Sequence, residues 1–162
     1  MFPQQEGRGL DVQIDEIETG VALGPLERLV GYHLRRASNV FGTDFSRAVA
    51  ETGMRQVLFG ILSVVAANPG ISQGLAGRAL GIQRANMVSL INQLVEAGLV
   101  DRQTAEGDRR ALALTVTVEG EKLIAECLQR IEAHEHKLLS ALSASERATL
   151  IDLLQRIEAQ ER

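Results

Sequence analysis

Residues Gly70 to Gly120 read GISQGLAGRALGIQRANMVSLINQLVEAGLVDRQTAEGDRRALALTVTVEG. Leu75, Ala76 and Leu80 recur at helical spacing, and Ser72 stands where an N-cap hydroxyl can accept a free backbone N–H. Gly81 ends this first helix. A second helix is predicted from Arg84, carrying Met87, Val88, Leu90, Ile91, Leu94 and Val95 until Gly98 stops it. Only Gly81, Ile82 and Gln83 separate the two, a link of helix-turn-helix length. Leu99 to Gln103 then reads as a strand, Ala105 to Asp108 as a turn, and Ala111 to Thr117 as the returning strand.

Two short helices followed by a hairpin make a winged helix-turn-helix. Asp108-Arg109-Arg110-Ala111, with Leu112, Leu114, Thr115 and Thr117 after it, resembles the wing signature of the MarR family of bacterial transcription regulators. Leu80-Gly81-Ile82, the run Ala85 to Ile91, and Glu96-Ala97-Gly98-Leu99-Val100 are similar to the family as well. The likeness extends from about Pro25 to the C-terminus. A helix-turn-helix alone is a weak signal; joined to this wing at this offset it is specific.

Length and composition bound the reading. At 162 residues the chain suits one domain large enough for a real core. Apolar residues at 45% and charged residues at 23% are those of a soluble globular protein. No apolar run is long enough to span a bilayer and no signal peptide opens the chain, so a cytoplasmic, membrane-free protein is expected. A single cysteine excludes an internal disulfide framework. The net charge of −4 argues against indiscriminate nucleic-acid binding but allows a local basic surface. Only Lys122 and Lys137 of the 17 basic residues are lysines. Arginine's planar fork suits phosphate or guanine; a genomic GC bias gives the same preference.

Residues 1–24 are polar and glycine-containing, which predicts a mobile arm; the resemblance implies that it reaches to a partner subunit, with a frayed end as the alternative. Residues 25–162 form one expected domain, with 54–117 as the winged lobe and 25–51 plus 118–162 as dimerisation helices. Pro25 is predicted to open a long amphipathic helix to about Glu51, its stripe including Leu26, Leu29, Val30, His33, Leu34, Val40, Phe41 and Phe45. Thr52-Gly53 breaks it, and Arg55 to Ala67, apolar over most of its surface, reads as the central helix, closed by Asn68-Pro69-Gly70. Ile71 is a candidate third strand. Thr117 caps a long helix to about Ser140, and Ser143 to Glu146 is a capping-box pattern opening the last one. The apolar stripes of these terminal helices exceed what one small lobe covers, which predicts a two-fold homodimer; the resemblance implies the same.

The second motif helix should lie in the major groove of an operator. Its polar residues include Arg84, Asn86, Ser89, Asn92 and Gln93; Asn and Gln suit adenine, Arg suits guanine. The resemblance carries base reading to Arg84, Asn86 and Ser89. It also implies that Arg110 enters the minor groove from the hairpin tip while Asp108 orients it, with Arg109 beside them. Relatives often hold arginines where Ser89 and Gln93 stand, so the operator sequence stays open. Arg102, Ser72 and Gln73 are candidate phosphate contacts, the last two at a helix start where free N–H groups favour anions.

Tyr32, Phe41, Phe45 and Phe59 cluster in the first two long helices, together with His33, Arg35, Arg36 and Arg55. The resemblance implies a cleft there for a small aromatic acid or its coenzyme A thioester, with guanidinium groups holding the anion. Core packing is the alternative for the rings, and a backbone-bonded or subunit-contact role for His33. Cys127 falls mid-stripe and reads as a buried structural thiol; oxidation sensing is its rival role. No metal-ligand spacing, phosphate loop or nucleophile–base pair is present, so neither a cofactor nor an enzyme is expected. The expected protein is a dimeric repressor released from a palindromic operator by a small molecule. A winged-helix protein-interaction module without DNA affinity is the rival of a different class.

Overall fold

The computed structural model describes the backbone of residues 21–105 and 108–161, and the side chains of that range except 104–112 and 161. The arm expected over 1–24 therefore lies almost wholly outside the described residues, as does the tip of the hairpin. The chain divides into two compact units, one through Arg36 and one from Ala37 onward.

In the first unit the predicted opening helix is interrupted. Gly24–Arg28 is a 3-10 turn with Pro25 in its first positions, Leu29 is extended at φ −93° and ψ 110°, and only then does α1 begin, spanning Val30–Ala48. Proline tolerates the first turn of either helix type, so Pro25 did not distinguish them. The His33 ring Nε2 lies 2.8 Å from the Glu27 carbonyl oxygen, filling an acceptor that a continuing helix would have offered to Gly31.

In the second unit α1 ends at Ala48, short of the expected Glu51, and a 3-10 turn, Ala50–Thr52, leads to Gly53 at φ +67°. Helix α2 spans Gln56–Ala67, α3 Gln73–Ala79, α4 Arg84–Glu96, α5 Val118–Leu138 and α6 Ala144–Glu158. Strands β1 (Ile71–Ser72), β2 (Val100–Ala105) and β3 (Asp108–Val116) form an antiparallel sheet in the order β1-β3-β2. The third strand foreseen at Ile71 is present, paired to Leu114.

Ile61, Leu62 and Val65 of α2 are fully buried, the central helix that the apolar run predicts. Around them pack Ala48, Val49, Met54, Ala76, Met87, Ile91, Leu94, Val100, Leu114 and Cys127. Two of the apolar residues read in the motif helices are not buried: Leu75 is 52% and Val88 45% exposed. Helix α3 has only seven residues and turns Ala76 and Gly77 inward instead. A Cβ on Gly77 would lie 3.2 Å from the Ile82 carbonyl oxygen, so small residues set how closely the motif turn folds back. Gly81 completes that turn at φ +64°, where a side chain would be strained.

Candidate nucleic-acid interface

The motif is assembled by local caps. The Ser72 hydroxyl accepts the Leu75 N–H at 3.3 Å, as an N-cap should, which leaves Gln73 half-buried in the first turn of α3. The Ile82 N–H donates to the Gly77 carbonyl at 2.8 Å and sets the entry to α4. Met87, Ile91 and Leu94 seat α4 on the core. Their burial leaves Arg84, Asn86 and Ser89 exposed, a polar face at the N-terminal half of a helix held rigidly from behind.

Asn92 and Gln93 differ from those three. Both are half-buried. Asn92 Oδ1 accepts a hydrogen bond from Arg102 Nη2. Gln93 Oε1 accepts one from Arg55 Nη2, while its Nε2 donates to the Ser89 carbonyl at 3.2 Å. Arg55, read from sequence as part of a ligand cleft, is thus the extended residue ahead of α2 and reaches α4. Neither tie was foreseen. The first was legible in principle, because Val100 facing the core obliges Arg102, two residues on, to face the same way.

The hairpin forms, but its strands are longer than expected: β2 runs to Ala105 and β3 begins at Asp108, both assigned to the turn from sequence. The side chains of Asp108, Arg109 and Arg110 lie outside the described residues, so their role stays an expectation. Beyond the hairpin, the Thr117 hydroxyl accepts the Gly120 N–H at 3.0 Å and donates to the Gly98 carbonyl at 2.7 Å. One side chain caps α5 and ties it to the end of α4.

The residues assigned to a ligand fall in both units. In the first, Tyr32 meets His33 edge-on, ring centroids 5.4 Å apart, and the guanidinium carbons of Arg35 and Arg36 lie 5.8 and 5.7 Å from the Tyr32 centroid. His33 is bonded to backbone, one of the roles considered for it, and is exposed in the single chain. In the second, Phe45 and Phe59 stack tilted at 5.9 Å and pack against the core, which is the packing role, and Phe41 is half-buried. Cys127 is fully buried, its Sγ donating to Thr52 Oγ1 at 3.6 Å. Among the described residues no group of histidine, cysteine and carboxylate side chains is placed to hold a metal. No described helix is long and apolar enough to cross a membrane.

A sheet-backed helix pair with an exposed polar second helix and a following hairpin defines a winged helix-turn-helix DNA-binding regulator. Residues 53–111 match the MarR family. A Thauera aromatica protein named for transcriptional regulation of the hcr operon is 34% identical over 159 residues, 98% of this chain and 93% of its own. The structure of the transcriptional repressor CouR bound to a 23-mer DNA duplex superposes with a TM-score of 0.82 at 32% identity, covering 85% of this chain and 98% of CouR. CouR bound to p-coumaroyl-CoA gives 0.76 at 29% identity, over 85% and 97%. The Streptomyces coelicolor regulator PcaV with its natural ligand gives 0.78 at 25% identity, over 88% and 100%. The chain belongs to the MarR family of transcription regulators.

Proposed function

We propose that this regulator is a dimeric repressor that leaves a palindromic operator when it binds an aromatic carboxylic acid or the coenzyme A thioester of one. The observation that carries the DNA half is the exposure of Arg84, Asn86 and Ser89 on a helix that Met87, Ile91 and Leu94 lock into the core. In this reading α4 enters the major groove, Arg110 oriented by Asp108 enters the adjacent minor groove with Arg109 beside it, and Ser72 and Gln73 lie near phosphate. The helices of 25–51 and 118–162 join two copies, so that paired lobes meet successive major grooves.

The likeness to CouR, seen with p-coumaroyl-CoA, supports a planar acyl thioester as effector. So does the local chemistry: Arg35 and Arg36 flank the Tyr32 ring, placing two cations beside an aromatic face. Release requires that the effector bind the DNA-incompetent arrangement more tightly; a difference of about 1–3 kcal/mol suffices. A cysteine-oxidation mechanism is disfavoured by the complete burial of Cys127.

The test is to titrate hydroxycinnamic and benzoic acids and their coenzyme A thioesters into the protein–operator complex. At least one compound should dissociate it, and Arg36→Ala should abolish that response while retaining operator affinity. If none dissociates the complex, or the Arg36 variant responds as the parent does, the effector assignment fails and the DNA-binding reading stands apart from it.

A further inference from the structure

We infer that Arg102 is a positioning residue for α4 and not a phosphate contact, and that with Arg55 it fixes the C-terminal half of the helix so that sequence is read by the N-terminal half alone. The inference rests on the DNA-binding reading above.

The alternation along β2 sets the direction of Arg102. Val100 is buried, Asp101 exposed, Arg102 half-buried and Gln103 exposed. Across the sheet Arg102 is paired with Leu114, which is fully buried, and residues opposite one another share a face. The arginine stem therefore runs along the core side of the wing, and its guanidinium emerges against α4, where Nη2 donates to Asn92 Oδ1. Its Nε is buried without a partner among the described residues. An arginine reaching for phosphate would turn that N–H outward; here it stays inside while the Asn92 bond is kept.

The second anchor comes from another element. Arg55, just ahead of α2, donates to Gln93 Oε1, and Gln93 is braced in turn on the Ser89 carbonyl. Adjacent residues of one helix point in directions about 100° apart. Bonds from the sheet to Asn92 and from the α2 end to Gln93 thus oppose rotation of α4 about its axis. Such a rotation would sweep Arg84, Asn86 and Ser89 off the base edges they address. Bidentate base contacts are intolerant of that displacement.

The experiment uses a duplex selected by the full-length protein from a randomised library, with affinity measured across about a tenfold range of salt for the parent, Arg102→Met, Asn92→Ala and the double variant. Methionine keeps much of the apolar stem and removes the guanidinium. Each single change should weaken binding by about tenfold, the double change should be no worse than either single one, and the salt slope should stay that of the parent. A slope shallower by about 0.9 for Arg102→Met, with Asn92→Ala at parental affinity, marks a phosphate contact and overturns the inference. Losses that simply add overturn it too. Should Arg102→Met not fold, Arg102→Gln replaces it in the same cycle with Asn92→Ala and is read by the same slope and non-additivity. A parent without salt-dependent binding removes the DNA-binding reading itself, before any variant is compared.

Discussion

At the scale of single residues, the joint between wing and α5 holds the tightest glycine position among the described residues. A Cβ on Gly120 would stand 2.3 Å from the Leu99 carbonyl oxygen and 2.6 Å from Val116 Cγ1. Neither neighbour can yield freely, since Leu99 oxygen also accepts the Thr117 N–H at 3.1 Å. Gly120→Ala should destabilise the protein by about 1–3 kcal/mol, read as a lowered denaturation midpoint; an unchanged midpoint would show that the joint relaxes. The cap role of Thr117 was legible because an N-cap is a local pattern, but its bond to Gly98 was not, since the partner lies 19 positions away. The bonds of Arg55 and Arg102 to α4 went unforeseen because each partner belongs to another element, and composition alone suggests only an anion. Cys127 was read correctly as a buried thiol. Cys127→Ser should keep DNA binding, and peroxide should not release the parent protein. Peroxide release that disappears in the serine variant would contradict this.

At the scale of elements, helix termini explain most of the agreement between pattern and structure. Ser72, Thr117 and Ser143 each cap the helix assigned to them. Pro25 is the instructive exception, because it marks a helical start without specifying how far the helix runs. In the capping box of α6 the Ser143 hydroxyl and N–H both donate to Glu146 Oε2, at 2.6 and 2.7 Å. The hydroxyl first, and then the backbone N–H, hold the Glu146 carboxyl below the usual glutamate range. Because its folded value is depressed, the contribution is complete above the unfolded glutamate value of about 4.3 and is lost as pH falls through the folded one. Hydrogen-exchange protection of the first turn of α6, corrected for intrinsic rates, should fall on acidification through that window. Glu146→Gln should flatten the dependence. Protection that is insensitive to pH in the parent would mean that the box does not hold the helix end.

At the scale of the whole molecule, the outer helical segments give Ala48, Val49 and Cys127 to the core yet leave other apolar side chains exposed. Among the described residues of the single chain, Ile151 is 57% exposed and Ile157 49% on α6, and Val40 of α1 is half exposed at 50%. Apolar stripes of this kind call for a second copy in a two-fold assembly, the arrangement proposed above. The full chain should therefore sediment as a dimer, and deletion from Ala144 onward should leave monomers or aggregates. A truncated, soluble dimer with full DNA affinity would contradict that. The division of the chain at Arg36 was not legible, because the helical spacing runs through it without a break. The central claim is that α4 and the wing bind a specific DNA duplex, and a salt titration tests it most directly. With a duplex selected by the purified protein, log affinity should fall linearly with log salt, a scrambled duplex should bind far more weakly, and Arg110→Ala should cost about 1–3 kcal/mol with the dimer intact. Equal, salt-insensitive affinity for selected and scrambled duplexes would contradict the claim.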